Sequence, residues 1–401
     1  MGDNIKEQGN RHCTKFKMYD MVGIRESFPH AFSVLGNKLY FSTLFDNILY
    51  EMNLDDGRIE EYFFPSSCNR SHCYRFSVIY DDTVWFIPEY EEFFVLLQGG
   101  KISTIPSRGH YASGCIMEEE LFLLDRGRFC IDVVDLRARE YKSAISLPAG
   151  KDSDYYINIF LGNDCLYVTC GTDCRLLRID SISRQCEWIK TDALICYGIM
   201  VDGEIVYTST KNDLDGIYAF NINDGKSRRI VAIEYENKNV IQYYRFWNTT
   251  RLGKYIYFLP HEESTIIRYD VIKKVVKYFS PVGNNYRTLR PDGSNSIYGI
   301  TCFKNKVLLI PYYGNQIVAL DYDGNFIDSY HFLISNEKIR TLMKREMKSK
   351  TNGILHEGLW SLRNYIGFIS CECQSISRID NRSRIGGEIY ERIYYLPSGN
   401  I

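Results

Sequence analysis

The chain has 401 residues, 45% hydrophobic and 24% charged, with 50 acidic against 48 basic side chains. So much apolar surface at a net charge of -2 excludes a disordered chain, and the near balance of signs gives no electrostatic footprint for nucleic acid or an anionic membrane. The 32 Tyr and 22 Phe against 10 Pro favour strands, so the composition leans toward an all-β fold.

The opening stretch, MGDNIKEQGNRHCTKFK, lacks the apolar core of a signal peptide, and Lys6 stands where a myristoylation motif needs Ser or Thr. No later run reaches the roughly 18 apolar residues of a membrane span. The expectation is a cytoplasmic chain, with the thirteen cysteines between Cys13 and Cys373 kept as reduced thiols. Cys165 and Cys170 fall at the two ends of one predicted strand, about 16 Å apart, too far for one tetrahedral zinc. Cys68, His72 and Cys73 share a loop but supply too few donors. No metal and no cofactor is expected.

Beyond the tail, self-similar units follow one another. The first reads FSVLGNKLYFS, NILYEMNL and DDGRIEEYFF from Phe32 to Phe64, and the next restarts at Phe76 with FSVIYDDTVWFI. Second strands of the same kind begin at Leu121, Leu166, Ile205, Ile256, Val307 and Ile366, giving eight units at a spacing of about 40 to 60 residues. Third strands share a signature, as in LYEMNLDDG, CIDVVDLRA, LLRIDSISR and IIRYDVIKK, each ending in Asp or Asn before a polar turn. A helical period appears in one place, where Ile339, Leu342, Met343 and Met347 repeat behind Ser335 or Asn336 as N-cap. The basic residues Lys338, Arg340, Lys344, Arg345 and Lys348 occupy the other faces of this insertion, residues 333–353.

This pattern resembles the β-propeller superfamily over nearly the whole length after about residue 22. Its phrases are most similar to degenerate quinoprotein-like or YVTN-like repeats; recurring Trp-Asp pairs and kelch-type Gly-Gly pairs are absent. The reading is all-β: one propeller over 23–401, with eight four-stranded blades, seven being the alternative. The tail, 1–22, is a source for a ring-closing strand. Many unrelated functions share such repeats, so the resemblance implies no activity.

In such a ring the first-to-second and third-to-fourth turns form one face, and the longer connections form the other. Function is expected on the long-loop face, because a rigid scaffold presents such loops. Where the chain enters each innermost strand it carries polar aromatics and charged groups: His30, Arg75, Tyr111, Tyr156, Tyr197, Arg245 with Trp247, Tyr298, and His356 and Glu357 with Trp360. Second strands ending at Pro88, Pro260 and Pro311 project Glu89, His261 and Tyr312 toward the same face. A rim of flat rings with hydrogen-bonding edges suits a protein, peptide or glycan. The leading expectation is therefore a non-catalytic binding propeller. The alternative is a metal-dependent lyase or lactonase, or a glycan-active enzyme, drawing on Asp125, Asp154, Glu357 or Glu89 with a histidine base.

Overall fold

The computed structural model describes residues 31–42, 48–64, 74–125, 127–149, 156–171, 173–208, 216–233, 246–260, 265–279, 297–311 and 316–331. Among these residues twenty-nine strands, taken in chain order, build seven antiparallel meanders. Blade one holds β1 (Phe32–Leu35), β2 (Lys38–Ser42), β3 (Ile48–Asn53) and β4 (Ile59–Phe63). Blade two holds β5 (Tyr74–Tyr80), β6 (Thr83–Pro88), β7 (Phe93–Gln98) and β8 (Lys101–Pro106). Blade three holds β9 (Tyr111–Met117), β10 (Glu120–Asp125) and β11 (Cys130–Asp135), its outer edge split into β12 (Glu140–Tyr141) and β13 (Ile145–Ser146). Blade four holds β14 (Tyr156–Gly162), β15 (Cys165–Cys170), β16 (Arg175–Asp180) and β17 (Cys186–Lys190). Blade five holds β18 (Gly198–Val201), β19 (Glu204–Thr208), β20 (Gly216–Asn221) and β21 (Lys226–Ala232). Blade six holds β22 (Phe246–Leu252), β23 (Tyr255–Pro260), β24 (Ile266–Asp270) and β25 (Val275–Phe279). Blade seven holds β26 (Ile297–Phe303), β27 (Lys306–Pro311), β28 (Gln316–Leu320) and β29 (Phe326–His331).

The hairpins follow from their turn residues. First-to-second turns are two residues long, and their leading residue adopts φ of 48° to 62° at Gly36, Asp81, Glu118, Asn163, Asp202, Gly253 and Lys304. That is the left-handed geometry a tight hairpin requires. Third-to-fourth turns explain the recurring terminal Asp or Asn. Asp180 accepts from the backbone N–H of Ile182 and Ser183, Asp270 from Ile272 and Lys273, Asp321 from Asp323 and Asn325, and Asn53 from Asp55. Each side chain thus takes up backbone donors that would otherwise be left at the strand end.

Middle strands are buried on both faces, so their apolar runs are continuous rather than alternating. The core is accordingly divided into seven inter-blade seams. One of them joins Leu39, Phe41, Tyr50 and Met52 of blade one to Leu308, Ile310, Ile317 and Tyr330 of blade seven. Tyr330 also donates to the Leu54 carbonyl at 3.0 Å, and Lys304 pairs with Asp55 at 2.7 Å. The molecule is a seven-bladed β-propeller.

This corrects the expectation of eight blades. Blade seven packs directly on blade one, so the ring has no gap for the unit counted at Ile366, which lies outside the described residues. The tail, 1–22, named as a source for a ring-closing strand, also lies outside the described residues. No helix occurs among the described residues, and the helical insertion expected at 333–353 lies outside them.

Candidate functional site

The innermost strands share a recurrent irregularity. Register shifts skip one residue in β5 between Tyr74 and Phe76, in β14 between Tyr156 and Asn158, in β22 between Phe246 and Asn248, and in β26 between Ile297 and Gly299. In β9, Tyr111 pairs with Asp125 and Ser113 with Leu124, which skips Ala112 in the same way. A bulge of this kind adds a residue and re-aims the chain at the rim of the ring. Arg75, Trp247 and Tyr298 occupy this skipped position.

Tyr111 and Tyr156 sit one residue earlier, and the structure corrects their expected place at an open mouth: both are buried. Tyr156 donates to the Pro148 carbonyl at 2.6 Å, and its ring stacks with Trp188. Tyr111 donates to Asp132 at 2.7 Å and its hydroxyl meets that of Tyr141 at 2.9 Å. Burial, with Tyr141 and Asp132 beside it, pushes the Tyr111 phenol far above its ordinary range, so it stays protonated. These residues hold blades together. Tyr197 lies half-buried immediately before β18, well round the ring from Arg75. His30, Arg245, His261, Tyr312, His356, Glu357 and Trp360 lie outside the described residues, and for Trp247 and Tyr298 the description extends to the backbone alone.

The described part of the long-loop face is most complete over blades two and three. Glu89, following Pro88 as expected, is 2% exposed and lies 3.7 Å from the Arg75 guanidinium. Asp125, at the end of β10, binds two loops at once. Its Oδ1 accepts from the backbone N–H of Gly127 and Arg128, and its Oδ2 from the backbone N–H of His110 and from the Arg128 side chain. Arg128 continues to Asp132, which also receives the Tyr111 hydroxyl. The clamp leaves Arg108 and His110 exposed on a fixed loop. The Arg108 guanidinium lies 4.3 Å from the centre of the Tyr141 ring, the backbone N–H of Arg108 donates to the Tyr141 hydroxyl at 2.9 Å, and His110 lies against Tyr90 at 5.9 Å.

Arg108, Arg128, Asp132 and Tyr141 were not singled out from sequence. The signal was there in part: Asp132 interrupts an otherwise apolar third strand, CIDVVD, where a buried acid demands partners. Burial pushes the thiol of Cys115, on the innermost strand β9, up to about 12 and that of Cys130 up to about 11, so neither is a ready nucleophile. Cys165 and Cys170 end the same strand, as expected, and no group of three metal-ligating side chains occurs among the described residues. No helix among the described residues is long and apolar enough to cross a membrane.

No family model matches the chain, and no curated protein matches it in sequence. Solved structures do. The RRP9 WD40 repeats superpose with a TM-score of 0.52 at 8% identity, over 71% of this chain and 87% of that one. U3-55K gives 0.52 at 8% identity, over 77% and 96%. Dihydro-heme d1 dehydrogenase NirN, in complex with DHE, gives 0.50 at 10% identity, over 75% and 66%. What these chains share with this one is the propeller fold. A fold common to WD40 repeats and a dehydrogenase assigns no activity by itself.

Proposed function

We propose that the chain is a non-catalytic binding propeller, cytoplasmic, that takes up a protein or peptide, with a glycan as the other class of ligand, on its long-loop face. The observation that carries this reading is the Asp125 clamp, which fixes the loops bearing Arg108 and His110 beside the Tyr141 and Tyr90 rings. Cationic and aromatic groups held in one geometry before a ligand arrives cost little entropy on binding. Of the acids named for the catalytic alternative, Asp154 and Glu357 lie outside the described residues, and the other two are engaged otherwise: Glu89 lies under Arg75, and the Asp125 oxygens are filled by loop donors. Cys115, Cys130, Cys165, Cys174, Cys186 and Cys302 are free thiols, which accords with a reducing compartment.

The test is selection from a random-peptide library and a glycan array with the wild type, with R108E/H110A on the loop face, and with K226E on the turn face. Loss of selected ligands in R108E/H110A alone is the expected result. Loss in K226E with binding intact in R108E/H110A overturns the reading.

A further inference from the structure

Two residues before the capping Asp or Asn, equivalent third-strand positions carry Glu51, Arg178 and Arg268. Glu51 is met by Lys38 and by the Tyr62 hydroxyl at 3.1 Å. Arg178 donates to Cys165 Sγ at 3.3 Å and faces Glu187 at 3.7 Å. Arg268 differs. It is 7% exposed, and neither its Nε nor its Nη1 has a hydrogen-bond partner. Its guanidinium lies 4.3 Å from the centre of the Tyr255 ring. Asp323 approaches its Nη2 to 4.0 Å, beyond hydrogen-bond reach, and is itself 73% exposed. Lys277, directly opposite Arg268 in the sheet, draws on the same carboxylate at 3.5 Å. Two cations thus divide one loosely held anion. A guanidinium cannot shed its charge, so its burial here leaves donors that an outside acceptor would satisfy.

A second observation concerns the same place. Five of the seven exposed large apolar side chains among the described residues, Ile272, Val275, Tyr278, Phe326 and Ile327, belong to blades six and seven. Val275 shares a face of β25 with Lys277, and Phe326 pairs with Leu320, a member of the seam between these two blades. The outer strands therefore set exposed apolar side chains, Val275 and Phe326, on either side of the seam in which the guanidinium is buried. On the outer strand of blade one, Glu60 and Glu61 occupy the central positions, and on that of blade five Arg228 and Arg229 do, as suits an unpaired sheet edge.

We propose that the seam between blades six and seven docks an acidic peptide segment, whose Asp or Glu carboxylate completes Arg268 and Lys277 while its neighbouring apolar side chains cover Val275 and Phe326. The planar guanidinium matches a carboxylate edge, and the flanking apolar side chains offer nothing to the extra oxygens of a phosphate. Asp323 turns out into solvent to admit it. This site is on the rim of the ring, apart from the loop face.

The full chain is panned against bead-displayed octapeptides with one fixed glutamate among random positions, and against a matched library with glutamine fixed. Wild type is expected to enrich the glutamate library about tenfold over the other. R268M is expected to lose that preference and keep its melting temperature, because Met covers the Tyr255 ring without a charge to satisfy. D323N, which lacks the competing carboxylate, is expected to strengthen it. Equal enrichment by wild type, a preference kept in R268M, or a preference unchanged in a folded D323N overturns the proposal. So does competition by inorganic phosphate alone, which would make the seam a general anion site. Self-association abolished by R268M in sedimentation also overturns it, by making the occupant a second copy of the chain.

Discussion

Within blade three, along its seam with blade two, Arg128 reaches both Asp125 and Asp132, Tyr111 donates to Asp132, and Tyr141 closes the chain of hydrogen bonds. Between blades six and seven, Arg268 has an aromatic ring beneath it and one distant, exposed carboxylate. Each seam holds an arginine, partly exposed at Arg128 and buried at Arg268, and the two differ in how many of their donors are used. A satisfied network rigidifies the loops it touches, whereas a half-satisfied one leaves an interaction open to another molecule. The first seam is thus read as a scaffold for the loop face and the second as a receptor in its own right.

A third seam sets the scale for disturbing either. At the junction of blades seven and one, a Cβ placed on Gly299 would overlap the Phe32 ring. G299V is expected to cost about 3 kcal/mol in urea unfolding, with part of it regained when F32A is added. No rescue would mean that the two blades do not meet there. D132A removes the acceptor shared by Arg128 and Tyr111 and is expected to cost about 2 kcal/mol, less than a fully buried pair because Arg128 is 44% exposed and can turn into water. R268M should fall within about 1 kcal/mol of wild type, or above it, since the charge it removes is poorly compensated. If D132A proved neutral and R268M strongly destabilising, the contrast between the seams would be inverted.

The smallest effect is expected on the turn face. Backbone N–H groups chiefly hold the carboxyls of Asp135, Asp180 and Asp270 below their ordinary 3.8, and the Asn325 side chain chiefly does so for Asp321. A lowered folded value means that these caps stabilise fully above pH about 4 and lose their contribution as pH falls through the folded values. Asn caps the same turn without titrating, so D180N should flatten the acid limb of a stability profile slightly and leave pH 7 nearly unchanged. An acid limb identical to wild type would contradict the capping role.

Much of this architecture is legible in the sequence because its punctuation is local. Gly36, Asp81 and Asn163 announce tight hairpins, and the terminal Asp of LLRID or IIRYD announces a capped turn. Blade number is different: the second-strand pattern at Ile366 reads like those before it, and what decides closure is the contact of Phe32 with Gly299, far apart in sequence. The rim was legible in composition but not in register. One skipped residue puts Tyr111 and Tyr156 into the core while Arg75 stays partly exposed beside Glu89. Arg268 looks like any polar residue in an apolar strand, since its missing partners are a property of the neighbouring blade.

The closed seven-bladed ring is tested most directly by zero-length carbodiimide coupling of the wild-type chain, read by mass spectrometry. Lys304 Nζ lies 2.7 Å from Asp55 Oδ1 across the junction of blades seven and one, and Lys142 Nζ lies 2.9 Å from Glu120 Oε1 within blade three as an internal standard. The ring predicts an amide between Lys304 and Asp55 alongside one between Lys142 and Glu120. Coupling of Lys142 to Glu120 with none between Lys304 and Asp55 would place another element between the first and seventh blades and contradict it.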